Sequence, residues 1–423
     1  MASASNNKKA APSLLAIIMP GFLVAATGVG AGDLATASFT GSQLGVAILW
    51  AVVVGGLLKF VLTEGLARWQ LATGQTLLEG VALRLGKVTG LFFLPYLLLW
   101  SFFVGSALIS ACGITLHAMF PVFDDVSTGK WVFGIASSMS GLLLVLIGGF
   151  ALFEKVMALS VGVMFITVVL MAGLLWPGAD VVLTGLFVPS IPDAQGAGVT
   201  WTLALIGGVG GTLTILCYGY WIREKGRVQE KDIVICRIDL AVGYSMTVLF
   251  GLAMVIIGST IEIEGRGANL LIVLAEKLEE PLGIYGRWLF LVGAFSAIFS
   301  SLLGVWQAVP YLFADVWRLF VQSSPGLDSS SNVVDISSSK PYQWFLIALA
   351  VIPIVGLFIS FKEVQKLYAV IGAMFIPMLA VVLLILNGRR AWVGAFVNKP
   401  ITIMALLAAL VFFGVMAGLK WFG

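Results

Sequence analysis

Few residues in this chain are equipped to do chemistry, and one aspartate stands apart from the rest. Asp33 closes the run ATGVGAGD at 26–33, about 20 residues into an apolar stretch, with no Lys or Arg adjacent in sequence. A second glycine cluster, GGVGGT at 207–212, lies in the middle of another apolar stretch. A carboxylate at the middle of a bilayer costs about 2.5–3.5 kcal/mol on insertion scales, so its retention points to function. Glycine clusters permit backbone conformations closed to other residues. Where a membrane helix unwinds, protein or a water-filled cavity must surround the freed backbone groups. Carbonyls at the end of the first half-helix carry the negative end of its dipole. One carboxylate with freed carbonyls is a chemistry for holding a cation. Asp33 also precedes Leu34 as a sound helix N-cap, and one oxygen can cap while the other meets an ion.

The other polar groups in apolar stretches read as structural. Glu64 and Arg68 stand four apart on one helix face and can pair, with Lys59 able to join them. Asp239 and Asp315 fall near helix ends, where solvation explains them. Ser300 and Ser301 can hydrogen-bond between helices or line a path, with packing the favoured reading. The single histidine, His117, sits at the end of an apolar run and reads as a surface or packing residue. Cys112, Cys217 and Cys236 have no paired spacing and read as small apolar fillers, without a disulfide framework or zinc site.

The elements that position these residues are membrane helices. Of 423 residues 60% are hydrophobic and only 11% charged, against about 25% charged in an ordinary soluble domain. That excludes a soluble globular protein and a disordered one, and the net charge of +3 gives no pointer to nucleic acid. Apolar runs of about 20 residues fall near 12–41, 45–71, 90–119, 130–150, 155–175, 200–222, 233–258, 284–313, 341–359, 364–386 and 400–422, which makes eleven spans. The first run has no cleavage signature and is read as a span rather than a signal peptide. With the amino terminus inside, sixteen of the 24 Lys and Arg fall on the cytoplasmic side and seven outside, leaving Lys59 within span 2. That bias places the amino terminus in the cytoplasm and the carboxyl terminus outside. Outer acids such as Asp124, Asp125, Asp180 and Asp193 form a negative vestibule that would concentrate cations. The serine-rich stretch 322–340 is read as an inner linker.

Spans 1 and 6 carry the glycine clusters, in corresponding positions of two five-helix halves. Matched interruptions of this kind mark the binding site of transporters built from inverted repeats. The expected organisation is a tail at 1–11, a first repeat at 12–175, an extracellular loop at 176–199, a second inverted repeat at 200–386, and an eleventh helix with its preceding loop at 387–423. A channel has no need of two broken helices in internal repeats. An enzyme is not supported, since one peripheral histidine leaves no Ser–His or Cys–His pair and no HExxH-like spacing.

Three segments carry a family resemblance. PGFLVAATGVGAGDLAT (20–36), GLARWQLATGQTLLE (65–79) and LNGRRAWVGAFVNKP (386–400) resemble segments of the natural resistance-associated macrophage protein (NRAMP) metal transporters. The resemblance covers nearly the whole chain and implies an all-α integral membrane protein of the LeuT-type fold, with helices 1 and 6 broken. The family's span 1 motif, Asp-Pro-Gly-Asn, falls on Gly30-Ala31-Gly32-Asp33, so its first carboxylate is lost and an aspartate replaces the asparagine. The span 6 motif, Met-Pro-His, falls on Gly211-Thr212-Leu213, and the alanine whose carbonyl is a ligand falls on Gly208. The acidic proton-relay positions of span 3 fall on Phe103 and Ser106.

Each departure has a chemical consequence. Gly211 removes a thioether, the soft ligand that selects transition metals. The candidate donors that remain are all oxygen: Asp33, carbonyls near Gly30, Gly208 and Gly211, and the hydroxyls of Thr212, Thr214 and Thr27. A roomy site with one carboxylate suits a largely hydrated Mg²⁺, which gives up water reluctantly. The resemblance therefore points to the NRAMP-related magnesium transporter branch, importing Mg²⁺ and, less selectively, Mn²⁺. Loss of the relay residues weakens the case for proton coupling, although Asp33 can itself carry a proton. The rivals are a proton-coupled Mn²⁺/Fe²⁺ symporter of the same fold and a sodium-coupled transporter of an organic substrate. The expected partners are a divalent metal substrate and the lipid bilayer, with no resident cofactor, no nucleic acid, and function as a monomer in a bacterial inner membrane.

Overall fold

Glycines, apolar runs and capping side chains set the order of elements. The structure is a computed structural model describing residues 29–86, 88–261, 270–321 and 336–422. Thr27, the amino-terminal tail, the first half of span 1 and most of the linker 322–340 fall outside the described residues. Span 1 enters as a π-helix, Val29–Thr36, and continues as α1, Ala37–Leu44. A short 3₁₀ turn after Gly45 leads into α2, Leu49–Thr73, which ends on Gly74 in the left-handed region. Thr76 and Glu79 then form a reciprocal capping box that starts α3, Leu77–Leu85, satisfying two otherwise orphaned N–H groups.

Span 3 is α4, Val88–Met119. Asp125 caps the next helix, α5, by accepting from the Thr128 N–H at 3.0 Å. The N–H groups of Ser127 and Thr128 hold the Asp125 carboxyl below the usual carboxylate range. The sequence suggests a turn near Lys155 between spans 4 and 5. Instead α5 is one unbroken helix of 49 residues, Val126–Leu174. At 1.5 Å per residue that is about 73 Å, more than twice a hydrocarbon core of about 30 Å. The stretch contains no proline, the residue that would most reliably break it. The expected outer loop holds a helix, α6, Ala179–Phe187, which meets the end of α5 at 116°.

Span 6 is interrupted. α7, Gly198–Gly208, stops, and the chain resumes as a 3₁₀ turn, Leu213–Leu216, and then α8, Cys217–Glu224. Span 7 is α9, Ile233–Gly258. α10, Leu270–Val316, is kinked at Gly283 into a short outer arm and span 8. α11, Lys340–Val351, tightens into a 3₁₀ stretch, Ile352–Phe358, at Pro353. α12, Phe361–Ala373, and α13, Phe375–Leu386, form span 10, and α14, Pro400–Phe422, closes the chain.

Among the described residues nine helices are long and apolar enough to cross a membrane, or ten with the bent α5–α6 pair. The expected eleven is larger because spans 1 and 2 count there as one stretch, Asp33–Thr73, and half of span 1 is outside the described residues. α14 turns Ile401, Met404, Leu407, Val411 and Val415 outward, exposed apolar side chains suited to lipid. The π-helix of span 1 takes the opposite situation: α4, α7, α9, α10 and α12 all pack against it, and Asp33 is fully buried.

Candidate cation site

The break in span 6 is built by two consecutive glycines. Gly210 and Gly211 have φ of 74° and 75°, a region that costs other residues about 1–2 kcal/mol each. Their turn ends α7 and points backbone groups inward. The Gly210 N–H donates to Asp33 Oδ1 at 2.9 Å, across 177 positions of sequence. The expectation that Asp33 is the N-cap of its own half-helix is corrected: it lies inside the π-helix Val29–Thr36, and its carboxylate instead accepts from the unwound segment of the other broken span. Its second oxygen, Oδ2, is buried without a hydrogen-bond partner.

The cation that meets the freed carbonyls belongs to the protein. Lys59 of α2 is fully buried, and its Nζ donates to the carbonyl of Gly207 at 2.8 Å and to that of Val209. Lys59 and Asp33 are opposite charges, both fully buried at this break. The reading that Lys59 joins Glu64 and Arg68 is thus corrected. Those two pair with each other at 2.7 Å, and Arg237 adds a second contact to Glu64 at 2.8 Å. One peptide unit links the two site charges: the Val209 oxygen accepts from Lys59 while the Gly210 nitrogen donates to Asp33. A trans peptide directs its C=O and N–H to opposite sides, so lysine and aspartate flank it.

Hydroxyls complete the surroundings. Thr63 bonds the Lys59 carbonyl at 2.7 Å and the Tyr244 hydroxyl at 2.7 Å. The charge of Asp33 acts on Tyr244 and on Tyr368, and the Tyr368 hydroxyl lies beside Thr212.

The residues singled out from the sequence are distributed unevenly around this centre. Asp33, Gly211 and the fully buried Thr212 belong to it. Gly208 is a close-packing position: a Cβ there would reach Thr36 Oγ1 at 3.2 Å, and Thr36 in turn accepts from Gln365 Nε2 at 2.8 Å. The carbonyls that meet the ammonium flank Gly208, from Gly207 and Val209. Gly30 offers its N–H to Ser301 Oγ at 2.9 Å, and a Cβ on Gly30 would come within 2.4 Å of that oxygen. Ser301 thus makes the interhelical bond foreseen for it. Thr214 is buried in the 3₁₀ turn after the break, and Thr27 is outside the described residues. Lys59, Thr63, Tyr244 and Tyr368 were missed. The available signal was Lys59 itself, a mid-span lysine that carries the same cost as a mid-span aspartate.

Away from the site, two more expectations change. Asp239 and Asp315 are fully buried rather than solvated. Asp239 is paired with Arg227 and accepts from the Tyr218 hydroxyl at 2.7 Å. Asp315 is held by Arg318 at 2.7 Å and the Tyr220 hydroxyl at 2.7 Å, with Arg318 reaching Glu79 at 2.8 Å. These carboxylates are buried because each has a cation and a phenol to replace water. In span 3, Ser106 donates to the carbonyls of Phe102 and Pro353 at 2.8 Å, a packing role. His117 is buried against Gly129, and all three cysteines are buried and free.

Comparison with known proteins agrees with this architecture. The structure resembles that of an Eremococcus coleocola manganese transporter, with a TM-score of 0.68 at 17% identity over 98% of this chain and 87% of that one. It also resembles MhsT in complex with L-phenylalanine, with a TM-score of 0.63 at 15% identity over 95% of this chain and 98% of that one. The molecule is an all-helical membrane protein of the LeuT-type fold. The family model described as natural resistance-associated macrophage protein-like matches residues 21–421, and the chain belongs to the Nramp family of transporters rather than to a family of enzymes. An uncharacterized protein of Pasteurella multocida is 23% identical over 334 residues, spanning 76% of this chain and 75% of that protein.

Proposed function

We propose that this Nramp-family divalent-metal secondary transporter imports Mg²⁺ and, less selectively, Mn²⁺, by alternating access, as a member of the family's magnesium-transporting branch. The observation that carries this reading is Asp33: one fully buried carboxylate, with an oxygen free of hydrogen bonds, set between the π-wound part of span 1 and the unwound part of span 6. The segment Gly210–Leu213 beside it carries no thioether or imidazole. Among the described residues no group of three or more His, Cys, Asp or Glu side chains is placed to hold a metal. A single carboxylate with backbone and hydroxyl oxygens favours a hard cation that keeps part of its water. Asp33 attracts and orients the ion, with Thr212 and the backbone at Gly208, Gly211 and Gly30 contributing to its outer shell, together with Thr214 and Thr27.

Membrane potential is a sufficient driving force. Each unit charge gains about 2.3 kcal/mol per 100 mV, so a divalent ion gains about 4.6. At about 1.4 kcal/mol per decade that sustains more than a thousandfold gradient. The proposed setting is a bacterial inner membrane, with a cytoplasmic amino terminus, an extracellular carboxyl terminus and a monomer as the working unit. The test is Mg²⁺ uptake into proteoliposomes holding both a Mg²⁺ indicator and a pH indicator. Saturable, sodium-independent uptake without acidification is expected. Mn²⁺ entry accompanied by proton entry would instead establish the proton-coupled Mn²⁺/Fe²⁺ symporter.

A further inference from the structure

A carrier that releases its cargo must return with its site empty, and an empty site built on one carboxylate leaves a charge buried without a partner. Such a charge is strongly unfavourable in a low-dielectric interior. Where no cation replaces the cargo, the empty form reorients slowly, and labelled cargo crosses mainly by exchange for cargo on the far side.

This protein carries its own replacement. The Lys59 ammonium rests on the carbonyls of Gly207 and Val209, at the end of the first half of span 6, where a half-helix presents its negative end. Asp33 is held by the adjacent Gly210 N–H, so both charges are positioned by the same unwound segment. Tyr244 and Tyr368 are the other titratable side chains near Asp33. The lysine reaches the site on a flexible four-carbon stem, which lets it leave and return without moving its helix. Its amide-like cradle is snug: Lys59 and every site residue named with it are buried.

Building on the metal-transport reading, we propose that Lys59 is a tethered counter-ion. It rests on the carbonyl end of the first half of span 6, across one peptide from Asp33, whenever metal is absent, offsets the Asp33 charge, and so lets the empty transporter close and reorient. A metal ion at Asp33 and the Lys59 ammonium compete for the negative end of the first half of span 6. The consequence is kinetic: Lys59 permits net uptake, whereas without it the site would support metal-for-metal exchange alone.

The test uses the full chain in liposomes and radiolabelled Mn²⁺. Uptake is measured into vesicles without internal metal, which reports net transport, and into vesicles preloaded with unlabelled Mn²⁺, which reports exchange. In the unmodified protein the two rates are expected within about threefold, because the neutral empty site returns readily. In Lys59→Gln the ratio of net uptake to exchange falls by about tenfold or more, the effect of leaving Asp33 buried without a nearby cation. Equal net and exchange rates in a folded Lys59→Gln protein would overturn the inference. Strong acceleration by preloading in the unmodified protein would overturn it too, and that arm decides the matter even where the variant fails to fold. Absence of both Mn²⁺ and Mg²⁺ flux in the unmodified protein would instead overturn the metal-transport reading, and this inference with it.

Discussion

The burial of Asp33 and Lys59 on the two sides of one peptide unit makes a quantitative prediction about stability. Asp33→Asn leaves a buried ammonium without its counter-charge, and Lys59→Met leaves a buried carboxylate in the same position. Breaking a buried ion pair from one side costs about 3–5 kcal/mol, whereas removing both charges together is often close to neutral. The double variant still loses the two bonds from Lys59 to the carbonyls of Gly207 and Val209, for a residual cost of about 1–3 kcal/mol. For 423 residues, an unfolding entropy of about 2.1 cal/mol/K per residue makes 1 kcal/mol equal to roughly 1 °C in Tm. Each single variant is therefore expected to melt about 3–5 °C lower, and the double variant only about 1–3 °C lower. Thermal unfolding of the detergent-solubilised protein, followed by tryptophan fluorescence, measures all four corners of the cycle. A double variant whose loss equals the sum of the two single losses would refute the coupling between the two buried charges.

Three other sites offer direct tests. Gly30→Ala brings a Cβ within 2.4 Å of Ser301 Oγ and 2.9 Å of the Ala297 carbonyl; overpacking of this kind costs about 1–3 kcal/mol, and the Tm loss should be partly recovered by adding Ser301→Gly. Gly210→Ala forces an alanine to φ near 74°, so it should lose about 1–2 kcal/mol and impair Mg²⁺ flux in vesicles more than Gly414→Ala in the lipid-facing helix α14. Asp125 has a lowered pKa through the N–H groups of Ser127 and Thr128, so its contribution is present above the ordinary carboxylate value and is lost as pH falls below about 4. Asp125→Asn keeps a capping oxygen and should flatten that part of the pH–stability curve, as followed by thermal melts from neutral pH downward.

Hydropathy made the membrane helices legible, and glycine pairs located the break in span 6, because both signals are local. Gly210 and Gly211 mark the break since only such residues take two successive positive φ angles readily. What stayed hidden depends on contacts between distant segments. Lys59 meets carbonyls 148 and 150 positions away, and nothing adjacent to it in sequence names them. Its spacing to Glu64 instead suggested a local cluster, but the ammonium turns toward span 6. Asp239 and Asp315 looked solvated because they fall near helix ends; Tyr218 and Tyr220, on the far half of span 6, bring them into the interior. The single continuous α5 illustrates the converse, since hydropathy reports where a chain changes polarity and not whether its helix is interrupted there.

The Val209–Gly210 peptide, gripped at its oxygen by an ammonium and at its nitrogen by a carboxylate, has a spectroscopic consequence. Charge on both sides polarises the amide in the same sense, weakening its C=O bond and strengthening its C–N bond. An isotope-shifted carbonyl placed at Val209 would absorb at lower infrared frequency than an ordinary helical amide. Displacing the lysine would return that band toward higher frequency or replace it with the signature of a metal-facing carbonyl. One backbone bond thus offers an internal gauge of whether the site is held by the protein's own charge or by an ion from outside.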